Sequence, residues 1–270
     1  MGKRGVTSYR YKYYRAAIGF SRGKTVIEKV YSIARGMKRK NYPGKALVNS
    51  MYHDPSTVIL TTRNFDFVEV DGCKFFVNDQ LDSIQRIEGN PWFRNMRETD
   101  IGVDIGANMG AITIPMAKRM KWVYAVEPLF GDILKANLEL NCLSNVTVLE
   151  CGIGYPAGVA RVEFGPRQGK MKVHTFEALK RYVGKIDWLK IDGEGCEWDI
   201  PISEYRDIRE IRAEFHIRRS NKKEDYFKFE CLQEWLECNE YECIVTRGAV
   251  PGPCVPFSEC ILLNASKKDI

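Results

Sequence analysis

The 270-residue sequence has no run of about twenty consecutive apolar residues, the length that a membrane-spanning helix requires. Its first five residues lack the apolar core of a secretory signal peptide, and Val6 departs from the myristoylation pattern. None of the nine cysteines forms a C-x-x-C pair, which disfavours a structural zinc site. We therefore expect a cytoplasmic protein with no metal site and mostly buried free thiols, such as Cys243 and Cys260. One disulfide among the five cysteines after residue 230 is the alternative.

Basic residues are concentrated in one part of the chain. Residues 1–45 carry thirteen Lys and Arg against Glu28 alone, whereas the remainder carries 28 basic and 34 acidic residues. Tyrosines are interleaved with the basic residues of this arm. Such a mixture could bind nucleic acid, through phosphate pairing and base stacking, or an anionic membrane surface. The alternative is a solvated extension whose tyrosines dock on the main domain.

The most informative stretch is residues 99–128, which predicts a β-α-β unit. Residues 101–105 alternate as a strand does, residues 111–120 predict a helix, and residues 122–126 predict a second strand that ends at Glu127. A tight turn joins the first strand to the helix. The turn and the strand end before it supply these predicted ligand residues: Asp104, Gly106, Ala107, Asn108 and Gly110.

The residue types in this turn favour one class of ligand. Glycines let the backbone approach a ligand closely, and Glu127, about twenty residues beyond the turn, is placed to accept the hydroxyls of a ribose. The turn reads D-I-G-A-N-M-G rather than G-x-G-x-x-G, and the carboxylate of Asp104 would repel a pyrophosphate. It suits an ammonium group, as in S-adenosylmethionine (SAM). The alternative is that the glycines serve packing only.

A second constellation, Lys190–Glu197, follows the predicted fourth strand. Its acids are predicted to lie beside the same pocket, because ligands bind outside the carboxyl ends of parallel strands. Asp192 or Glu194 is the candidate general base, and His216, after the fifth strand, is the second candidate. Alternatively, Glu194 and Glu197 cap the turn while Asp192 alone faces the ligand, and His216 is an ordinary strand-end histidine. A divalent metal held by Asp192 and Glu194 is a further alternative.

Alternation of strands and helices predicts an α/β fold with a doubly wound, mainly parallel seven-stranded sheet and an antiparallel edge strand. Cys151, after the third strand, is expected where an adenine edge would lie. The predicted domains are a basic extension with one helix (1–56), a β-hairpin cap and lid segment (57–97) and a ligand-binding domain (98–270).

In this order, D-I-G-A-N-M-G, A-V-E-P, N-L-E-L-N, T-F-E-A-L and K-I-D-G-E-G-C-E resemble the FkbM family of SAM-dependent methyltransferases over about residues 65–265. The resemblance implies a class I methyltransferase (Rossmann-like) fold and O-methylation of a hydroxyl on a sugar, glycan or secondary metabolite. It also implies that Glu127 binds the ribose and that Asp192 and Glu194 form the acidic motif after the fourth strand. The residues that it assigns to the methionine-binding turn are Asp104, Gly106, Asn108 and Gly110. Gly193 departs from the family, which usually has an aliphatic residue there.

Two other functions compete with this hypothesis. One is an RNA methyltransferase that uses the basic arm to hold its substrate. The other is a catalytically silent SAM-fold protein that binds partners. The sequence indicates neither the acceptor nor the oligomeric state.

Overall fold

The computed structural model describes residues 58–61, 66–76, 84, 87, 90–164, 167–249 and 257–268. The predicted basic extension, residues 1–56, lies outside the described residues, so its helix and its partners stay predictions. The predicted domain boundaries are also untested. No helix within the described ranges combines the length and the apolar character needed to cross a bilayer.

The described elements comprise thirteen strands, four α-helices and three short 3-10 helices. The strands are β1 (Val58–Thr61), β2 (Asp66–Val70), β3 (Cys73–Phe76), β4 (Ile101–Ile105), β5 (Trp122–Val126), β6 (Val146–Leu149), β7 (Gly152–Ile153), β8 (Gly158–Phe164), β9 (Arg167–His174), β10 (Trp188–Ile191), β11 (Glu210–Arg218), β12 (Tyr241–Ala249) and β13 (Phe257–Lys267). The α-helices are α1 (Thr113–Ala117), α2 (Gly131–Leu140), α3 (Phe176–Val183) and α4 (Lys222–Cys238). Short 3-10 helices cover Pro91–Phe93, Cys196–Asp199 and Ile202–Tyr205.

The chain forms two compact units. The described part of the first unit contains β1, β2 and β3 together with Asn108–Pro115 and Phe130–Ser144. The second unit contains Pro91–Ala107, Met116–Leu129 and the described residues from Asn145 onward.

The second unit is built on a seven-stranded sheet in the order β12-β13-β11-β10-β4-β5-β6. Strands β6, β5, β4, β10 and β11 pair in parallel, and β13 runs antiparallel to β11 and to the edge strand β12. This confirms the predicted fold class, a mainly parallel α/β sheet with antiparallel pairing at one edge. It is the class I methyltransferase arrangement that the resemblance implies.

The two faces of strand β11 differ, one being apolar and the other ionisable. Side chains alternate between the faces of a strand. Ile211, Ala213, Phe215 and Ile217 lie in the hydrophobic core, and the residues between them are ionisable: Glu210, Arg212, Glu214 and His216. Lys190 of β10 pairs in register with Arg212 on one side and with Asp104 of β4 on the other. The ionisable row therefore continues across three neighbouring strands.

The first unit confirms the predicted hairpin. Strands β2 and β3 are antiparallel and meet at Asp71 and Gly72, both of which have positive φ, as tight hairpin turns require. The N-L-E-L-N motif at the end of α2 secures this hairpin. The side-chain oxygens of Asn137 and Asn141 accept hydrogen bonds from the backbone N–H groups of Phe76 and Lys74, each at 2.9 Å.

The structure differs from the prediction in two places. The helix expected over residues 111–120 is limited to Thr113–Ala117, and Pro115 within it has no N–H to donate. Strand β9, whose sequence R-Q-G-K-M-K-V-H has few β-branched residues, was not predicted. Its pairing with β8 and β7 in a separate three-stranded sheet stabilises it, and sequence propensity does not show such pairing.

Among the predicted free thiols, Cys260 is buried, but Cys243 is only half-buried and Cys142 and Cys238 are exposed. The described cysteines after residue 230 are free, and Cys254 lies outside the described residues.

Candidate functional site

The carboxyl ends of four adjacent strands bring the predicted residues of the second unit together. Strands β5, β4, β10 and β11 lie side by side in the sheet. Glu127 follows β5, Gly106 follows β4, Asp192 follows β10, and His216 lies near the end of β11. In open parallel sheets this edge is where ligands bind.

The turn after β4 lies in direct contact with the turn after β10. Gly106 has φ +77°, and a Cβ built on it would lie 1.8 Å from the carbonyl oxygen of Asp192. The N–H groups of Gly106 and Ala107 donate to the carbonyl of Val126, at 3.0 and 3.1 Å. Only glycine permits this close approach, so the first glycine of the motif is required by the fold as well as by any ligand.

Asp104 is completely buried, and the side chain beside it is Lys190. The Nζ atom of Lys190 lies 3.1 Å from Asp104 Oδ1 and donates to the carbonyls of Ile105 and Gly106 at 3.2 and 2.7 Å. Burial would lower the pKa of Lys190, but Asp104 and Asp192 raise it above its usual value, so the ammonium stays charged. Lys190 therefore links Asp104 to the backbone carbonyls at the start of the turn after β4. A direct contact between Asp104 and a ligand stays a prediction.

Sequence reasoning did not single out Lys190. A lysine inside a short strand whose other residues are Trp188, Leu189 and Ile191 was the available signal, because a buried lysine needs a carboxylate partner.

Glu127 is buried, and its own loop orients it. Its Oε1 accepts a hydrogen bond from the N–H of Leu129 at 2.6 Å. Cys151 is partly buried, and burial raises the pKa of its thiol, which therefore stays protonated at neutral pH. A neutral thiol suits an uncharged part of a ligand rather than a phosphate or carboxylate.

Asn108 and Gly110 belong to the first unit. Both adopt positive φ, 50° and 97°. A Cβ on Gly110 would lie 2.8 Å from a methyl carbon of Leu134, so this glycine lets the turn pack against α2. Ligand contacts of Asn108 and Gly110 stay predictions.

The loop after β10 surrounds His216 with acids. The Nε2 atom of His216 lies 3.5 Å from Glu194 Oε2 and 4.0 Å from Asp192 Oδ1. On the other side of the ring, Nδ1 lies 3.0 Å from Glu197 Oε1. Glu197 also accepts the backbone N–H groups of Gly195 and His216, each at 2.8 Å, so it caps the turn as one alternative proposed. Glu194 does not share that role.

Two further residues, which the sequence did not indicate, also lie beside His216. Glu214 Oε1 lies 3.7 Å from His216 Nε2, and Cys260 is the partner of His216 in the pairing of β11 with β13. The alternation along β11 could have indicated Glu214, because it shares a face with His216. Cys260 could not have been placed without the strand pairing.

The pKa values of His216 and Glu194 indicate which of these residues can act as a base. Burial would lower the pKa of His216, but hydrogen bonds to Cys260 and Glu197, with the charges of Glu197 and Glu194, raise it to about 11. With that pKa the ring is an imidazolium at pH 7 and cannot accept a proton. Burial raises the pKa of Glu194 above its usual value against the attraction of His216, and repulsion by Asp192, Glu197 and Glu214 acts in the same direction as burial. Among the three predicted catalytic residues, a carboxylate is therefore better suited than His216 to act as the base.

Gly193, where the resemblance implies an aliphatic residue, lies close to Cys196. A Cβ on Gly193 would lie 2.2 Å from the Sγ atom of Cys196. The Cys196 side chain occupies the space that an aliphatic residue at 193 would need. A side chain at position 193 would therefore require Cys196 to shift.

No protein-family model matches the chain. A search of curated proteins finds "Probable cobalt-precorrin-6B C(15)-methyltransferase (decarboxylating)" of Methanocaldococcus jannaschii, 34% identical over 58 residues, which are 21% of this chain and 32% of that protein. The chain thus spans about a third of the length of this relative.

Solved structures with a similar fold include two archaeal proteins. Precorrin 8W decarboxylase of Methanobacterium thermoautotrophicum is 18% identical, with 64% of this chain and 83% of that chain covered and a TM-score of 0.41. M. jannaschii TYW2, solved in complex with AdoMet, is 16% identical, with 78% and 90% covered and a TM-score of 0.42. At these identities and TM-scores, neither substrate nor activity transfers from those proteins to this chain.

Proposed function

We propose that this protein is a SAM-dependent methyltransferase that methylates a hydroxyl group on a sugar, glycan or secondary metabolite. One observation carries the proposal: Gly106 packs against the backbone of Asp192 at the carboxyl edge of the sheet, with Glu127 on the neighbouring strand. Three adjacent strand ends thus carry a close-packed turn and two carboxylates at the edge where such sheets bind ligands, which supports the proposal.

The residues present fit the cofactor by their chemistry. The Glu127 carboxylate, oriented by the Leu129 N–H, is suited to the ribose hydroxyls. The half-buried thiol of Cys151, neutral at pH 7, is suited to an adenine edge. When bound, SAM supplies a methyl group on a positively charged sulfur. The acids at this edge outnumber the bases, which favours a cation.

The protein must align the acceptor oxygen with the methyl group and remove the hydroxyl proton. Alignment can contribute about 7–11 kcal/mol, and a positioned base about 10²–10⁴-fold. Asp192 and Glu194 are the candidate bases, with side chains 33% and 48% exposed. The raised pKa of Glu194 brings it closer to the proton affinity that a general base requires at neutral pH. His216, as an imidazolium 3.5 Å from Glu194 and 4.0 Å from Asp192, attracts both carboxylates electrostatically.

The five motifs, in order, support membership of the FkbM family. The structure adds roles for two of them: the asparagines of N-L-E-L-N bind strand β3, and Lys190 of K-I-D-G-E-G supports the turn after β4.

Calorimetric titration with S-adenosylhomocysteine tests the cofactor. We expect saturable binding by the wild type and loss of binding in Glu127→Ala. The matched control is Glu224→Ala, which removes an exposed acid on α4 that pairs with Lys228. No binding by the folded wild type, or equal binding by Glu127→Ala, would contradict the proposal.

Transfer of labelled methyl groups from SAM tests the acceptor class. Incorporation into a sugar or glycan library and not into RNA would support the proposal. Incorporation into RNA, with salt-dependent binding that deletion of residues 1–45 abolishes, would favour the alternative in which the basic arm holds RNA.

A further inference from the structure

We propose that His216, Asp192 and Glu194 form a binding site for a divalent first-row metal ion such as Mn²⁺. The inference starts from geometry and not from acidity alone. One ligand atom from each of these residues lies within 4.8 Å of the other two. The donor set is one imidazole nitrogen and two carboxylate oxygens, a combination that manganese, iron and zinc accept.

The spacing fits ligands of a shared ion better than it fits hydrogen bonds. The distances of 3.5 and 4.0 Å from His216 Nε2 to Glu194 and Asp192 both exceed the length of a typical hydrogen bond, about 2.7–3.2 Å. Metal–ligand bonds of about 2.0–2.2 Å place neighbouring ligand atoms about 3–3.5 Å apart. The 3.5 Å distance to Glu194 lies at the upper end of that range, and the 4.0 Å distance to Asp192 lies above it, so binding one ion would draw Asp192 towards the ring.

The second nitrogen of the ring supports the same conclusion. Histidines that bind metals usually direct their other nitrogen at a carboxylate, which fixes the tautomer and the ring orientation. His216 Nδ1 lies 3.0 Å from Glu197 Oε1, and Glu197 is itself buried and held by two backbone N–H groups. The side chain of His216 is 5% exposed. Because Nδ1 contacts Glu197, the opposite ring nitrogen, Nε2, faces Asp192 and Glu194.

The local charge balance also favours a cation. Five carboxylates lie beside Lys190 or His216, those of Asp104, Asp192, Glu194, Glu197 and Glu214. Among the described residues, the basic side chains of Lys190 and His216 lie within 4.0 Å of carboxylates of this group. A divalent ion in place of the His216 proton reduces the remaining negative charge.

The metal site itself does not depend on the proposed function. The catalytic role of the bound ion rests on that function. If the protein methylates a hydroxyl, an ion at this position would bind the acceptor oxygen and lower its pKa, as bound metals do for water. Asp192 and Glu194 would then act as ligands, and the acceptor would lose its proton to solvent or to Glu214, whose Oε1 lies 3.7 Å from His216 Nε2.

Titration of the full-length, chelator-treated protein with Mn²⁺, followed by the electron paramagnetic resonance signal of free Mn²⁺, tests the site. We expect one saturable Mn²⁺ per chain and at least about a tenfold loss of affinity in Glu194→Gln and in His216→Gln. Glu194 is half-exposed, so Glu194→Gln should fold even if His216→Gln does not. Glu224→Gln is the control with unchanged affinity.

Absence of saturable Mn²⁺ binding by the folded wild type, or equal affinity in Glu194→Gln, would overturn the metal site. S-adenosylhomocysteine binding by the same samples separates the two proposals. If the wild type binds S-adenosylhomocysteine but not Mn²⁺, only the metal site is contradicted. If it binds Mn²⁺ but not S-adenosylhomocysteine, only the methyltransferase proposal is contradicted. With Co²⁺, a thiolate charge-transfer band that Cys260→Ser removes would overturn the stated ligand set in favour of Glu214, His216 and Cys260.

Discussion

Gly106 and Asp192 approach so closely that a Cβ on the glycine would lie 1.8 Å from the carbonyl oxygen of the aspartate. This contact joins the two sequence motifs that define the candidate site. Because the obstructing atom belongs to the backbone, no side-chain rotation relieves the clash.

Gly106→Ala should therefore destabilise the protein and abolish S-adenosylhomocysteine binding. Its matched control is Gly184→Ala. Gly184 also has positive φ, but a Cβ there meets nothing within 4 Å, so the control reports backbone strain alone, about 1–3 kcal/mol. Urea denaturation and calorimetry measure the two effects. If both variants lose the same unfolding free energy and both bind S-adenosylhomocysteine, the contact between the turns is essential neither for stability nor for binding.

Lys190→Met should cost about 3–5 kcal/mol of unfolding free energy, because it leaves the Asp104 carboxylate buried without its cation. The double variant Lys190→Met/Asp104→Asn should recover part of that loss, since no buried charge remains. Denaturation of the two single variants and the double variant gives the coupling energy. Additive losses would mean that the ion pair does not stabilise the turn.

Gly193→Ala should destabilise the loop after β10 by about 1–3 kcal/mol, because the new methyl group overlaps Cys196 Sγ. In a Cys196→Ala background the same substitution should be nearly neutral, as the sulfur is gone. Thermal unfolding of the four proteins in this cycle measures the coupling. An equal cost in both backgrounds would assign the glycine to backbone freedom or ligand contact instead.

Asp187 should make stability depend on acid pH. Burial alone would raise its pKa, but the bond from Lys185 at 2.6 Å and the N–H of Ile101 at 3.0 Å lower it below the usual value. A lowered folded pKa means stabilisation that is fully present above the unfolded pKa, about 3.9, and lost as the pH falls through the folded value. Wild type should thus exceed Asp187→Asn in unfolding free energy at pH 7, and the difference should close below about pH 4. A difference constant from pH 7 to pH 2 would show that Asp187 does not contribute as a charge.

The strand ends of the site could be predicted from the sequence, because period-two apolar patterns locate strands and the residues after parallel strands meet at one edge. Asp104, Gly106, Glu127, Asp192 and His216 were identified in this way, as was the mainly parallel sheet with antiparallel pairing at one edge. The sequence also predicted the hairpin at Asp71 and Gly72, since short-range turn chemistry decides it.

Only the tertiary structure decided what surrounds those residues. Lys190 pairs with Asp104, Glu197 orients His216, and Cys260 lies beside His216 because strands far apart in the chain are neighbours in the sheet. The pKa of His216 follows from these neighbours, and so does its change from candidate base to imidazolium. Local sequence determines which residues reach the edge of the sheet. Their charge states depend on distances between groups distant in sequence, which only the folded packing fixes.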